Sequence, residues 1–328
     1  MIPQKRDFKL DLLRIIAISM VVLMHSPRPN SASGLVLSGI SYITASGLVL
    51  FFMISGALLL DNQLSTRDFL KRRFSKILFP TIFWSLVYLF VKYVDNQSTI
   101  ADTLLSVFSI PFSAQGHGIM WFMYTLAGLY LLTPILSRWL KSASKLEVEC
   151  YLLLWGITLL YPYLCLVFKL DESNAGILYY FSGYVGYFVL GYYLRFHYHY
   201  RLWHVLAAIA VACLVPVVLY YSSIEYDFYS MLWYLSLPVA LMAFCWYVLV
   251  NRLPNKTINW ISEAAKLSFG VYFIHILVMR YCIWHVEVIC SLPGIIQIIA
   301  ISTVTLLLSF LISWLISKLP FSKYIIGA

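Results

Sequence analysis

The chain has 328 residues, of which 62% are hydrophobic and only 11% are charged, and its formal net charge is +9. With a mean hydropathy of +0.83, this composition belongs to a polytopic membrane protein. It leaves no stretch long or polar enough for a separate soluble domain.

Apolar windows long enough to cross the hydrocarbon core fall near 10–25, 37–60, 77–94, 119–136 and 150–168. Five more follow near 176–194, 203–221, 231–250, 267–286 and 294–317. The runs are too uniformly apolar for the alternation of barrel strands, so they read as helices. The expectation is one all-α domain over residues 1–328, with about ten transmembrane helices. Lys and Arg residues gather at alternate joins: all but Arg28, Lys92, Lys169 and Arg280 of the 23 basic residues fall on one side. Positive charge is retained in cytoplasmic loops, which predicts that both termini are cytoplasmic. The same asymmetry accounts for most of the net charge, so nucleic-acid binding gains no support from it.

The first window, LDLLRIIAISMVVLMH, carries Asp11 and Arg14 near its start and His25 at its end. A signal peptide fits poorly, because Asp11 and Arg14 interrupt the apolar run, although Ser31-Ala32-Ser33 offers small residues for cleavage. On a helix, Arg14 and His25 are eleven residues apart, just over three turns. They share one face about 16 Å apart along the axis and look into one groove. Asp11 precedes Arg14 by three residues and lies beside it, lowering the cost of the guanidinium at the membrane edge. Without a function, Asp11 and Arg14 snorkel to one surface and His25 sits at the other. The six cysteines show no CxxC spacing, so no metal site is indicated; buried free thiols are expected, with a Cys282–Cys290 pair as the alternative. Further along, Arg280 stands deep enough in its window to need an internal partner or a polar cavity, and the histidines of RFHYHYRLWH (195–204) sit among aromatics at an inner boundary.

These segments resemble, in order, those of the acyltransferase family 3 integral membrane proteins. The frame DLLRIIAISMVVLMH is similar to the family's first helix, with an Arg, ten residues and a His. LFFMISGALLL (50–60) resembles the FFxISGxL signature, and FLKRRFSKILFP (69–80) resembles the RxxR loop. Lys76 there takes the place of the second Arg and loses its bidentate fork. GHGIMWFMYTLAGLYLLTPIL (116–136), YFVLGYYLR (187–195) and KLSFGVYFIH (266–275) resemble the later helices, although three residues separate His117 from Trp121.

The resemblance implies transfer of an acyl group, commonly acetyl, from acyl-CoA to a hydroxyl of a surface carbohydrate or its lipid-linked precursor. It also implies O-acetyltransferase activity in a bacterial inner membrane. No permanently bound cofactor is expected; acetyl-CoA would be a substrate, and the partners would be the acceptor glycan and the lipid bilayer, with no nucleic acid. Acyl transfer to an alcohol needs a base, and a neutral imidazole serves, which makes His25 the candidate with Arg14 below it. Arg72, Arg73 and Lys76, with Asp11 orienting Arg14, would bind the donor's phosphates, although topogenic charge alone also explains that cluster. Ser55, His117, Trp121, Tyr272 and His275 are candidates for the acceptor side or the groove. A transporter or flippase of lipid-linked glycans is the alternative. It is disfavoured because the carboxylates fall in loops or near helix ends rather than mid-membrane.

Overall fold

In lipid, backbone N–H and C=O groups find partners only within their own segment, so long Leu, Ile, Val and Phe runs must coil. The computed structural model describes residues 7–28, 32–61, 64–110, 118–170, 176–222, 224–254, 256 and 258–327. Eleven main helices form: α1 (Phe8–His25), α2 (Gly34–Leu59), α3 (Ser75–Val94), α4 (Ile100–Ser109), α5 (Trp121–Ser142) and α6 (Lys145–Phe168). They are followed by α7 (Val185–Phe196), α8 (Leu202–Tyr221), α9 (Leu237–Arg252), α10 (Asn259–Tyr281) and α11 (Gly294–Ser317), and no strand occurs among the described residues. Side chains cap several starts: Asp7 accepts from Lys9 N–H at α1, and Ser144 with Glu147 forms a capping box at α6.

The all-α polytopic expectation holds. Among the described residues, six helices are long and apolar enough to cross a membrane: α2, Thr66–Val94 including α3, α6, α8, Asn259–His285 including α10, and α11. The window near 176–194 is corrected. It opens as a 3-10 stretch, Gly176–Phe181, bends where Gly183 takes φ +96°, and only then enters α7. Twelve residues rise about 18 Å, short of a ~30 Å hydrocarbon core. The window near 231–250 likewise breaks after a single turn, and its helix starts at Leu237. Amphipathic α4 has no counterpart among the apolar windows, because ten residues are too few to register as a span.

Helix α1 runs through the middle, packed against α2 and α10; α2 also packs on α7, α10 on α11, and α8 on α9. Leu13, Ala17, Ile18, Val21 and Val22 of α1 are all at most 1% exposed. Lipid tails are as apolar as leucine, so close backbone approach rather than water exclusion holds such helices together. The α2–α7 contact makes this literal. A Cβ on Gly56 would stand 1.8 Å from the Phe188 carbonyl oxygen, and one on Gly191 would stand 1.9 Å from that of Met53. Both glycines are therefore required by packing.

Gly56→Val is expected to push α2 and α7 apart at a cost of at least 1–3 kcal/mol, roughly the range for overpacking. Gly128→Ala, where nothing lies within 4 Å of the added carbon, should be neutral. Thermal unfolding of the two purified variants in detergent checks the contrast.

Candidate active site

One end each of α1, α2, α7 and α10 meets the others around a cavity of about 780 Å³. Five cations from five elements line it: Arg14 of α1, Arg73 of the turn before α3, Lys76 of α3, Arg195 of α7 and Lys266 of α10. Asp11 and Ser55 line it too. Arg14 reaches the Asp11 carboxylate at 4.0 Å, and the Ser262 hydroxyl of α10 donates to the other oxygen of Asp11 at 2.8 Å. Asp11 is only 4% exposed. A carboxylate so buried needs such partners, and the expected neighbourhood of Asp11 and Arg14 is found.

Arg195 is held by Asp7 at 3.5 Å and by the Ala57 carbonyl at 3.4 Å. Ser55 and Tyr130 both stand on the cavity wall. Lys266 shares its charge with Glu263 at 2.5 Å.

The segment resembling an RxxR loop is helical. A turn over Thr66–Phe69 passes into a π-helical turn over Leu70–Phe74 and then into α3. The wider turn, a geometry frequent at functional sites, sends Arg73 and Lys76 to the cavity. Arg72 is exposed and is not among the lining residues.

At the other end of α1 stands His25. Its Nδ1 lies 2.8 Å from the Val21 carbonyl, and the Nδ1 of His275 lies 2.6 Å from the Tyr272 carbonyl. A carbonyl only accepts, so in a neutral ring each Nδ1 carries the proton and each Nε2 keeps its lone pair. The two rings meet edge to face at 5.3 Å. His275 is fully buried, and its Nε2 has no hydrogen-bond partner among the described residues, whereas His25 is partly accessible.

Around the histidines lies an aromatic layer. The Tyr272 ring is 6.0 Å from that of His275, and its hydroxyl donates to the Ile119 carbonyl. Trp121 packs on Tyr184 at 5.8 Å and on Tyr234 at 5.4 Å. His117 lies outside the described residues.

Arg14 and His25 do share the inward face of α1, and the fully buried Ile18 and Val21 stand between them on that face. The cavity reaches Arg14 and does not include His25. Two further expectations change. Arg280 is exposed at the end of α10, not deep in it. Only Cys165 and Cys245 are buried, and all six thiols are free. In the histidine run, His204 Nδ1 is 2.9 Å from the Tyr198 hydroxyl, and Arg252 lies over the Tyr200 ring at 3.8 Å.

Sequence reasoning missed Arg195, Lys266 and Tyr130. The first two stand at the edges of quoted motifs, YFVLGYYLR and KLSFGVYFIH, but their convergence needs the helix order.

A family profile described as an acyltransferase domain, that of acyltransferase family 3, matches residues 7–314. The chain belongs to acyltransferase family 3. No curated protein and no solved structure matches it. Family membership makes this a membrane acyltransferase and accounts for the ordered motifs along its helices. For this acyltransferase, Asp11→Ala removes an acceptor shared by Arg14 and Ser262. A loss of about 3 kcal/mol is expected. Ser262→Ala should cost about 1 kcal/mol. Thermal unfolding midpoints of the two variants give the comparison.

Proposed function

We propose that this family 3 acyltransferase takes its acyl group, commonly acetyl, from acyl-CoA and gives it to a hydroxyl of a cell-surface carbohydrate or its lipid-linked precursor. The observation that carries the donor side is the convergence of Arg14, Arg73, Lys76, Arg195 and Lys266 on one cavity. Phosphates are bound by such charge-assisted contacts, and a volume of about 780 Å³ lies within the usual range for small-ligand sites. The basic ends of the helices face the cytoplasm in this reading, where acyl-CoA resides, and the membrane is a bacterial inner membrane.

The far end supplies the base. Nε2 of His25, left with its lone pair because Nδ1 is engaged by Val21, takes the proton of the acceptor hydroxyl. The hydroxyl oxygen attacks the thioester carbonyl, the C–S bond breaks, and the thiolate collects the proton from the imidazole. The products are an ester and free coenzyme A. His275 packs on the His25 ring and fixes its tilt. Tyr272 and Trp121, with their aromatic neighbours, border the acceptor's approach. Arg14, roughly 16 Å below His25 on the same helix face, guides the donor's arm from the cavity towards His25. The acceptor then meets the acyl group from the outer side.

His25→Ala is expected to lower turnover about 10²–10⁴-fold, the usual share of a general base, whereas a carrier of lipid-linked glycans would tolerate it. Arg73→Ala and Lys76→Ala should each raise the donor KM about tenfold with little change in kcat, and more salt should narrow the difference. Vesicles with acyl-CoA on the basic side and acceptor on the other test the presentation across the membrane. Product only when both share a compartment would refute it. Mass spectrometry of surface glycans, with and without the protein, names the acyl group and the acceptor.

A further inference from the structure

Beyond α11 the chain does not leave the membrane domain; it turns back. Pro320 follows the last helical residues, a single turn forms over Ser322–Ile325, and residues 324–327 return to α3 and α10. Three contacts fix this return. The Trp84 indole N–H donates to the Ile325 carbonyl at 2.8 Å. Tyr324 meets Phe79 edge to face at 5.2 Å. Ile326 is fully buried, and a Cβ on Gly270 would stand 3.1 Å from its Cγ2 and 2.6 Å from Ser313 Oγ. Gly270, the glycine of KLSFGVYFIH, thus makes room for both α11 and this plug.

The next residue reaches the cavity. Gly327 has φ +70°, a conformation that side chains disfavour, and a Cβ there would lie 2.9 Å from the Lys76 carbonyl oxygen. Gly327 and Lys76 line the same cavity. A segment that only tidied the end of α11 would need neither a fully buried plug nor a glycine pressed on the backbone of a cavity lysine. The family profile ends at residue 314, so this segment lies outside the matched part.

We propose that Gly327, held in place by residues 325 and 326, is a wall of the donor cavity. Ile326 anchors it, Trp84 clamps it, and Gly327 braces the first turn of α3 so that Lys76 and Arg73 face the donor's phosphates. Trp84 and Ile326 are positioning residues in this arrangement, since neither lines the cavity. The inference rests on the acyl-CoA reading above.

Calorimetric titration of the purified chain with coenzyme A alone, beside steady-state kinetics with acetyl-CoA, tests it. Trp84→Phe keeps a ring to stack on Phe273, whose centroid lies 5.8 Å away, and removes only the clamp. It should weaken coenzyme A binding and raise the donor KM about fivefold, with kcat held within about twofold. A chain terminated after Ile325 loses plug and brace and should bind coenzyme A at least about tenfold more weakly. Gly128→Ala, where the added carbon meets nothing within 4 Å and which does not line the cavity, should bind like the native chain. If the native chain binds coenzyme A and both Trp84→Phe and the shortened chain bind it equally well, the wall is overturned and the donor reading stands. If the native chain binds no coenzyme A, the donor reading falls and the wall falls with it.

Discussion

An ion placed in a buried membrane helix must be paired, and Asp11 with Arg14 is where this chain meets that demand. The hydroxyl of Ser262 brings α10 to this pair. Asp11 to His25 spans 14 residues and Ser262 to His275 spans 13, so two helices running the same way rise about 20 Å between their lower and upper contacts. One polar contact at the base therefore sets the register that brings two imidazoles together at the top. Lys266, one turn above Ser262, is carried to the cavity by the same alignment.

The second contact of this kind is made without polar side chains. Gly56 and Gly191 let the backbones of α2 and α7 touch, and chemistry lies close to both. Ser55 is the neighbour of Gly56 and lines the cavity; Arg195 follows Gly191 by one turn and lines it too. The motifs FFMISG and YFVLGYYLR thus each join a packing residue to a cavity residue on one short stretch of helix. A substitution at either glycine would disturb the cavity's charge as well as the fold.

Much of this was readable before any coordinates. Hydropathy located the long helices, because length and apolarity are what the bilayer requires of them, and helical spacing placed Asp11 beside Arg14 and put Arg14 and His25 on one face. What spacing cannot tell is which helix a face meets. The meeting of Arg195, Lys266 and Arg14 follows from helix order, and the short α7 from a local bend at Gly183 that a hydropathy window averages away. The π-helical turn at Leu70–Phe74 was equally hidden, since no residue type signals the extra residue it accommodates. Residues 325–327 carry no chemistry-bearing side chain at all; their interest lies in where Ile326 and Gly327 end up.

The closed stretch of α1 between Arg14 and His25 bears on how such an enzyme can work without leaking. Between Arg14 and His25 the inward face of α1 is closed by Ile18 and Val21, both fully buried. A water-filled channel joining the two ends would expose a membrane to ions and would put water beside a thioester. A packed apolar layer avoids both, and it is deformable in a way a polar one is not: parting methyl-bearing side chains leaves no hydrogen bond unmade. Under the proposed function, the donor's slender arm parts this layer while its phosphates stay anchored below, so opening is coupled to occupancy of the basic cavity. The firm parts of the site, the Asp11–Arg14–Ser262 cluster at the base and the carbonyl-held histidines at the top, then bracket a layer whose movement need be no larger than the width of the arm.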